Sequence, residues 1–381
     1  MRIGIDVTAA VTQGGGIGRY TRELIHALAE GDAVNEYRFF SAKRPSTSPV
    51  PNPLPTAPNI QIHPAPLDER WLYRLWYRLR LPLPVQWVTG RLDLFHSPDF
   101  VLPPVSGHIP TLLTVHDISF VHYPDVYPPK LVNYLNQVVP WSIARASHIL
   151  ADSQATKQDL VDVWQVSSDK VTVLYSGVHE RFQPVTDVEK LTAVRQKYQI
   201  GNQPYILSVG TIQPRKNYQM LIRAFQPVAA QYPHNLFISG GKGWLYEEMM
   251  AEVERQGLNG RVHFIGFVDD ADLPALYSDA DLFVFPSLYE GFGLPLLEAM
   301  ACGVPVISSD ASSLPEVAGD TAVLLSPHNQ AAWTNTMLDL LAHPDKRTAL
   351  VAGGFRQARQ FTWQTAAHSL LEVYQKLVTS S

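Results

Sequence analysis

Only one cysteine, Cys302, occurs in the 381 residues. An internal disulfide and a thiolate metal cluster are thereby excluded, and the usage agrees with a reducing compartment. No stretch approaches the run of apolar residues that a membrane-spanning helix needs, so none is expected. The opening MRIGIDV passes straight into a strand pattern, which leaves no room for a signal peptide. An excess of basic charge is also missing: residues 1–185 hold 16 basic and 16 acidic side chains, and residues 186–381 hold 14 and 19. Without a positive field the chain is unsuited to phosphate backbones, and nucleic acid is not an expected partner.

A glycine is missing from a suggestive place. The apolar run IGIDV at 3–7 is followed by VTQGGGIGRYTREL, which invites comparison with the dinucleotide fingerprint G-x-G-x-x-G. Gly14 and Gly16 fill the first two positions, but the third falls on Arg19, or on Thr21 when the count starts at Gly16. The close packing that a third glycine permits is therefore not expected. What remains is a strand, a turn able to reach positive φ, and a helix N-terminus near residues 17–20 whose free N–H groups suit an anion.

The chain does have enough apolar residues, 46%, to fill two cores, and its length favours two domains over one. Short runs that are apolar on both faces alternate with helical patterns. They read IGIDV, YRFF, LDLFHS, TLLTVHD, HILADS and VTVLYSG, then YILSVGT, NLFISGG, VHFIGF, LFVFPS, VPVISS and AVLLS. Such alternation predicts an α/β chain with parallel sheets covered on both sides by helices. Proline gathers at 45–66 and 82–84, and KRPSTSPVPNPLPTAPN is expected to be an exposed loop. The junction is placed at 176–190. The expected division is 1–185, 186–361 and a terminal helix, 362–381, folded back on the first domain.

The chemistry concentrates in the second half. In FPSLYEGFGLPLLEAMACGVPVISS a strand at Leu282–Phe285 exits into a loop, Gly291 and Gly293 clear space, and Pro295 sits where the first helical position should be. The amides of Gly291, Phe292, Gly293 and Leu294, with the helix dipole behind them, make an anion site at the carboxyl end of a strand. Glu298, one turn into the helix, is placed to accept from a ribose diol, and Glu290 precedes the glycines. In SVGTIQPRKN the chain turns at Gly210 and presents Arg215 and Lys216 together. Two cations beside a phosphate-binding turn can neutralise a diphosphate without metal.

Other motifs are given local readings. The D-x-D patterns at 269–273 and 278–283 are both discounted as metal sites; Asp279 and Asp281 precede a strand, whereas a metal pair belongs at a strand's exit. SLPE at 313–316 reads as a capping box with Ser313 as N-cap, and Cys302 reads as packing. DERWLYRLWYRLRL, 68–81, lines up Arg70, Arg74 and Arg78 at helical spacing beside an aromatic face of Trp71, Leu72, Leu75, Trp76 and Leu79. Such a helix either buries its aromatic side or rests on anionic lipid.

EGFGLPLLE is E-x7-E. Together with PRKN, SGG, VPVISS and LPEVAGD it resembles the retaining, metal-independent glycosyltransferases of family 4, and the likeness is strongest over 207–327. That resemblance implies a GT-B fold, in which two Rossmann-like domains face each other over a cleft, and a nucleotide diphosphate sugar as donor with no cofactor. The form GTIQPRKN is similar to that of members using GDP-mannose, with UDP-sugars as the alternative. The implied acceptor is a carbohydrate or lipid-linked glycan, and the implied setting is cytoplasmic, with peripheral contact to the inner face of the membrane as an option. An epimerase or hydrolase of the same fold, or a nucleotide-sugar-binding protein without catalysis, is the alternative reading.

The resemblance also implies roles. Glu298 would bind the ribose, Glu290 the donor sugar and Lys216 the pyrophosphate. Thr211 stands where the family often has a second cation, a part that Arg215 would take over. Gly15 and Gly16 would cap the diphosphate, and His116 of TVHDISF would touch the donor sugar, with Asp117 supporting its orientation or contacting the acceptor.

Overall fold

The computed structural model describes residues 1–43 and 54–379. Two compact units divide the chain: Met1–Val121, Lys130–Gly177 and Thr362–Ser381 form one, His122–Pro129 and Val178–Phe361 the other. Residues 122–129 belong with the second unit because Tyr127 packs on the Trp244 ring, whose Nε1 donates to the Val126 carbonyl at 2.7 Å.

Unit 1 is built on seven parallel strands: β1 Arg2–Asp6, β2 Glu36–Lys43, β3 Ile60–Asp68, β4 Leu94–Ser97, β5 Thr111–Val115, β6 His148–Ala151 and β7 Val171–Val173. Their order across the sheet is β3-β2-β1-β4-β5-β6-β7. Unit 2 holds six parallel strands, β8 Tyr205–Val209, β9 Asn235–Ser239, β10 Val262–Gly266, β11 Leu282–Phe285, β12 Val306–Ser309 and β13 Val323–Leu325, in the order β10-β9-β8-β11-β12-β13. Central strands such as β5, β11 and β12 are buried at every position, as expected of sheets covered on both faces. In each sheet the order reverses direction once, between β1 and β4 and between β8 and β11. Ligands of open parallel sheets bind at the carboxyl ends of the strands flanking such a reversal.

β3 is a strand that no apolar run announces. The expected loop KRPSTSPVPNPLPTAPN ends at residue 59, and Ile60–Asp68 then pairs in parallel with β2 despite Pro64 and Pro66. An edge strand has a single neighbour, so it tolerates residues that cannot donate to a second ladder. The part of that expected loop at 44–53 lies outside the described residues.

The glycine run is also different from its expected form. A short helix, Thr8–Thr12, intervenes between β1 and the glycines, and none of Gly14, Gly15 and Gly16 takes a positive φ. A Cβ at any of the three would meet nothing within 4 Å. Close packing comes instead from Gly18, in the helix Gly16–Gly31, where a Cβ would overlap the Gln13 carbonyl oxygen and lie 2.8 Å from that of Ala9. The approach it permits is between two helices, not between helix and strand.

The final helix, Trp363–Thr379, buries Trp363, Ala366, Ala367, Leu370 and Tyr374 within unit 1. The Tyr374 hydroxyl is 2.8 Å from Nδ1 of His96 on β4, and Nε2 of His96 is 3.0 Å from the Thr114 hydroxyl. Burial, aided by the His116 charge, lowers the His96 pKa to about 3, so the ring is neutral. Among the described residues no helix is long and apolar enough to cross a membrane.

Gly18→Ala should destabilise the protein by about 1–3 kcal/mol, the range for forcing an atom into a filled contact. The urea midpoint reads this, and an unchanged midpoint would show that the two helices can separate without loss.

Candidate active site

In unit 2 the chain leaves β8 at Gly210 and crosses the end of β9 at close range, since a Cβ on Gly240 would overlap the Gly210 carbonyl. A single tight turn, Pro214–Lys216, follows. Asn217 then takes a left-handed conformation, φ 58°, which asparagine tolerates better than most residues, and its Nδ2 donates to the carbonyls of Pro286 and Pro327 at 3.2 and 2.8 Å. This turn buries Lys216 over the ring of Phe285, with Nζ 4.9 Å from the centroid. Thr211 remains exposed.

Glu290, beyond β11, meets both cations. Lys216 Nζ donates to its Oε1 at 2.5 Å and Arg215 Nη1 to its Oε2 at 2.9 Å. All three are largely buried. Burial alone would raise the carboxyl, but the charges of Arg215 and Lys216 outweigh it and hold Glu290 down at about 2. The sequence reading keeps Glu290 apart from the two cations, as a sugar contact. The structure gathers the three into one cluster of net charge +1.

The loop after Glu290 is stapled by two serines. Ser312 accepts from the Glu290 amide at 2.8 Å and donates to its carbonyl at 2.9 Å, while the Ser313 hydroxyl donates to the carbonyls of Glu290 and Phe292. This overturns the capping-box reading: Ser313 makes no cap bond to its own helix, Leu314–Ala318, because its hydroxyl is committed to the neighbouring loop. Gly293 caps the helix Leu294–Ala301 at φ 113°, and a Cβ there would come within 2.7 Å of Leu314 Cδ2, so glycine is required twice over. Pro295 is the second residue of that helix, one later than expected.

Gly291 and Leu294 flank the same helix start. Phe292 turns its ring into the core against Phe361, 5.7 Å between centroids, which leaves only its backbone for a ligand. Glu298 is 2% exposed and accepts from the Tyr277 hydroxyl at 3.0 Å. Tyr277, which orients Glu298, carries no signal in the sequence, because it comes from a different helix. Cys302 lies in the core, where burial pushes its thiol up. The D-x-D aspartates are held by nearby side chains: Asp279 pairs with Arg195 at 2.6 Å, Asp272 with Lys197 at 2.6 Å, and Asp281 is 3.0 Å from Nε2 of His234.

In unit 1, His116 follows β5 and Asp152 follows β6. Nδ1 of His116 is 2.8 Å from Asp152 Oδ2 and Nε2 is 3.2 Å from the Pro98 carbonyl. Both neighbours are acceptors, so both ring nitrogens must donate and the ring is an imidazolium. Burial opposes that charge, but the Asp152 carboxylate, helped by Asp99, raises the pKa to about 9. Tyr20 and Phe100 abut the ring edge-on. Asp152 Oδ1 is buried with no hydrogen-bond partner among the described residues. Asp117, the expected support, instead accepts from the amide and hydroxyl of Ser119, so it shapes the next turn. Asp152 takes the supporting position, 36 residues away, where no spacing rule reaches.

Past the carboxyl ends of β1 and β4 lies a small crevice lined by Asp6, Glu69, Tyr73, Trp76, Tyr77 and Asp99. Burial pushes Asp6 up to about 6. The sequence reading did not single out Asp6 or Asp99. Gly15 and Gly16 leave the first turn of their helix without a side-chain cap and open to an anion.

Both halves match known proteins. The profile for Glycosyltransferase Family 4 covers residues 14–182, and that for Glycosyl transferases group 1 covers 192–357. O-antigen chain mannosyltransferase B of Escherichia coli is 33% identical over 374 residues, 95% of this chain and 96% of its own. The chain belongs to glycosyltransferase family 4. It is an enzyme of that class and has the GT-B fold. Sucrose-phosphate synthase from Thermosynechococcus elongatus superposes with a TM-score of 0.79 at 22% identity, each chain covered over 100%. Anabaena HepE in complex with UDP and glucose gives 0.74 at 19% identity, over 99% of this chain and 100% of that one. At these identities the solved structures speak for the fold alone.

The two buried ion pairs should act at opposite ends of the pH scale. The folded pKa of Glu290 lies below its ordinary 4.5, so its stabilisation is complete above that value and is lost as pH falls through about 2. The span corresponds to roughly 3 kcal/mol. Glu290→Gln should therefore flatten the decline in urea midpoint between these limits. His116 is raised, so its contribution is complete below 6.5 and disappears as pH rises through about 9. Asp152→Asn should bring its imidazole titration, followed by NMR, down by more than one pH unit, about the strength of a close charge pair; an unmoved titration would refute the pairing.

Proposed function

We propose that the enzyme transfers a mannosyl group from GDP-mannose to a hydroxyl of a glycan, with retention at the anomeric carbon and without a divalent ion. One observation carries the reading: two cations, Arg215 and Lys216, are buried side by side where the strand order of unit 2 reverses, next to a helix N-terminus bounded by Gly291 and Leu294. Mannose is supported by the name of the similar Escherichia coli protein and by the form of the GTIQPRKN segment.

Cleavage of the bond between the anomeric carbon and its oxygen sends an electron pair to the diphosphate. The negative charge that grows there is met by Lys216, Arg215 and the amides of residues 291–294, which are already oriented, so they favour the transition state over the ground state. The cluster's net charge of +1, together with the amides and dipole of the helix N-terminus, meets part of that charge without a divalent ion. Glu298, held by Tyr277, receives the ribose hydroxyls, and Thr211 borders the diphosphate from the solvent side. Glu290 fixes the geometry of both cations and offers its remaining lone pairs to the sugar.

The acceptor proton needs a destination. Glu290, held at about 2, is a weak base, and His116 has no free lone pair because both nitrogens donate. With neither of these two side chains free to take it, the proton is assigned to the leaving phosphate oxygen, which fits attack from the same face and hence retention. His116 acts as a fixed cation, its Nε2–H passing from the Pro98 carbonyl to a substrate hydroxyl. The crevice of carboxylates and aromatic rings past β1 and β4 suits acceptor hydroxyls, and a cytoplasmic setting agrees with the lone reduced Cys302.

With EDTA present, GDP-mannose at a hundredfold excess over Kd should stabilise the wild type by about 2.7 kcal/mol in a thermal-shift assay, and more than UDP-glucose does. Lys216→Ala should abolish most of that response, Glu298→Ala should weaken it, and donor turnover should require an acceptor glycan. Equal stabilisation of wild type and Lys216→Ala, or transfer that stops with EDTA, would overturn the cation clamp.

A further inference from the structure

Residues 122–129 leave unit 1 after Val121, join unit 2 and return at Lys130. The stretch is stiff, since Pro124, Pro128 and Pro129 fix φ at three of its eight positions. Its root is fixed as well: Ile118, Ser119 and Phe120 are at most 2% exposed, and Asp117 locks the turn by accepting from Ser119. At one end the His122 ring stacks on Tyr289, 25° from parallel with centroids 5.4 Å apart, and Tyr123 meets the same ring edge-on. At the other end sit Tyr127, 5.3 Å from the Trp244 ring, and the Val126 carbonyl, which accepts from the Trp244 indole.

Those two anchor points lie on the loops that bracket the cation turn. On one side the Gly243 amide, next to Trp244, donates to the Ile212 carbonyl at 3.0 Å, and the Ile212 amide donates to the Gly241 carbonyl at 2.9 Å. On the other the Leu288 amide donates to the Arg215 carbonyl at 2.9 Å, and Arg215 Nη1 donates to the Tyr289 carbonyl at 2.5 Å. Two details set these contacts apart from ordinary packing. His122 is itself exposed, so its ring gains little burial and instead covers Tyr289, which is 6% exposed. Leu245 takes φ 54°, a left-handed conformation rare for leucine, so the chain accepts strain at the residue after the anchoring indole.

We propose that residues 122–129 are a strap that positions Arg215 and Lys216, with His122, Tyr123 and Tyr127 as its positioning residues. A stiff strap that grips both loops limits the spread between them, and the turn at 210–216 is hydrogen-bonded to each. Cations that must meet a growing charge need such restraint, because a misplacement of about 1 Å costs a reaction on the order of a hundredfold. The strap also begins six residues after His116. One short stretch of chain thus carries the imidazolium and braces the cations. That consequence for catalysis rests on the transfer reading above; the bracing itself does not.

Amide hydrogen exchange of the whole chain, with no ligand added, tests the bracing at Ile212 and Leu288, whose bonds join the turn to the two loops. His122→Ala should speed exchange at both roughly three- to tenfold, the scale of one aromatic pair. Trp244→Phe, which removes the bond to the Val126 carbonyl, should act in the same direction, and His122→Phe, which keeps a ring over Tyr289, should restore the wild-type rate. GDP reads the cations through its diphosphate: its Kd should rise by a similar factor in His122→Ala and in Trp244→Phe, with circular dichroism unchanged. Because one strap carries both anchors, the two substitutions together should cost less than the product of their single effects. Exchange that ignores both variants, a His122→Phe variant as fast as His122→Ala, or losses that simply multiply would each overturn the strap. Wild type that fails to bind GDP while the exchange pattern holds would instead overturn the diphosphate reading and leave the bracing standing.

Discussion

A carboxylate buried between two cations is the constraint on which unit 2 depends. Glu290, Arg215 and Lys216 come from loops after different strands, and none could be buried alone, because an unpaired charge in the interior costs several kcal/mol. Much of the surrounding structure serves to hold those loops together. Asn217 adopts a left-handed turn and grips two carbonyls, Ser312 and Ser313 fasten the Glu290 loop from outside, and Gly293 lets the next helix begin at close range to Leu314. The outcome is a cation pair held in fixed geometry by the Glu290 carboxylate.

Unit 1 solves a related problem with opposite sign. The His116 imidazolium is kept charged by Asp152 and is walled by Tyr20 and Phe100. Both centres lie at carboxyl ends of parallel strands, where loops emerge close together and helix N-termini point outward. Family membership assigns the class of reaction, while this geometry supports a particular division of labour: cations for the departing phosphate, and no free side-chain base among Glu290 and His116.

Much of this was legible in the sequence because it depends on local pattern. Doubly apolar runs alternating with helices specify parallel sheets, and PRKN with EGFGLPLLE places two cations and two carboxylates after neighbouring strands. The edge strand β3 was hidden because its prolines argue against pairing, an argument that fails where a strand has one neighbour. The role of Gly18 was hidden because the fingerprint register counts from strand to helix, whereas the close approach joins two helices.

Periodicity and local motifs by themselves determined the fold class and set Arg215, Lys216, Glu290 and Glu298 after the exits of neighbouring strands, since each follows from what neighbours along the chain can do. Only the tertiary structure decided the partners. Glu290 joined the cations instead of standing apart, Asp152 displaced Asp117 beside His116, and Ser313 served a loop and not its own helix. Those choices depend on which elements meet after the sheets close, and contacts between residues tens of positions apart leave no period or spacing to read.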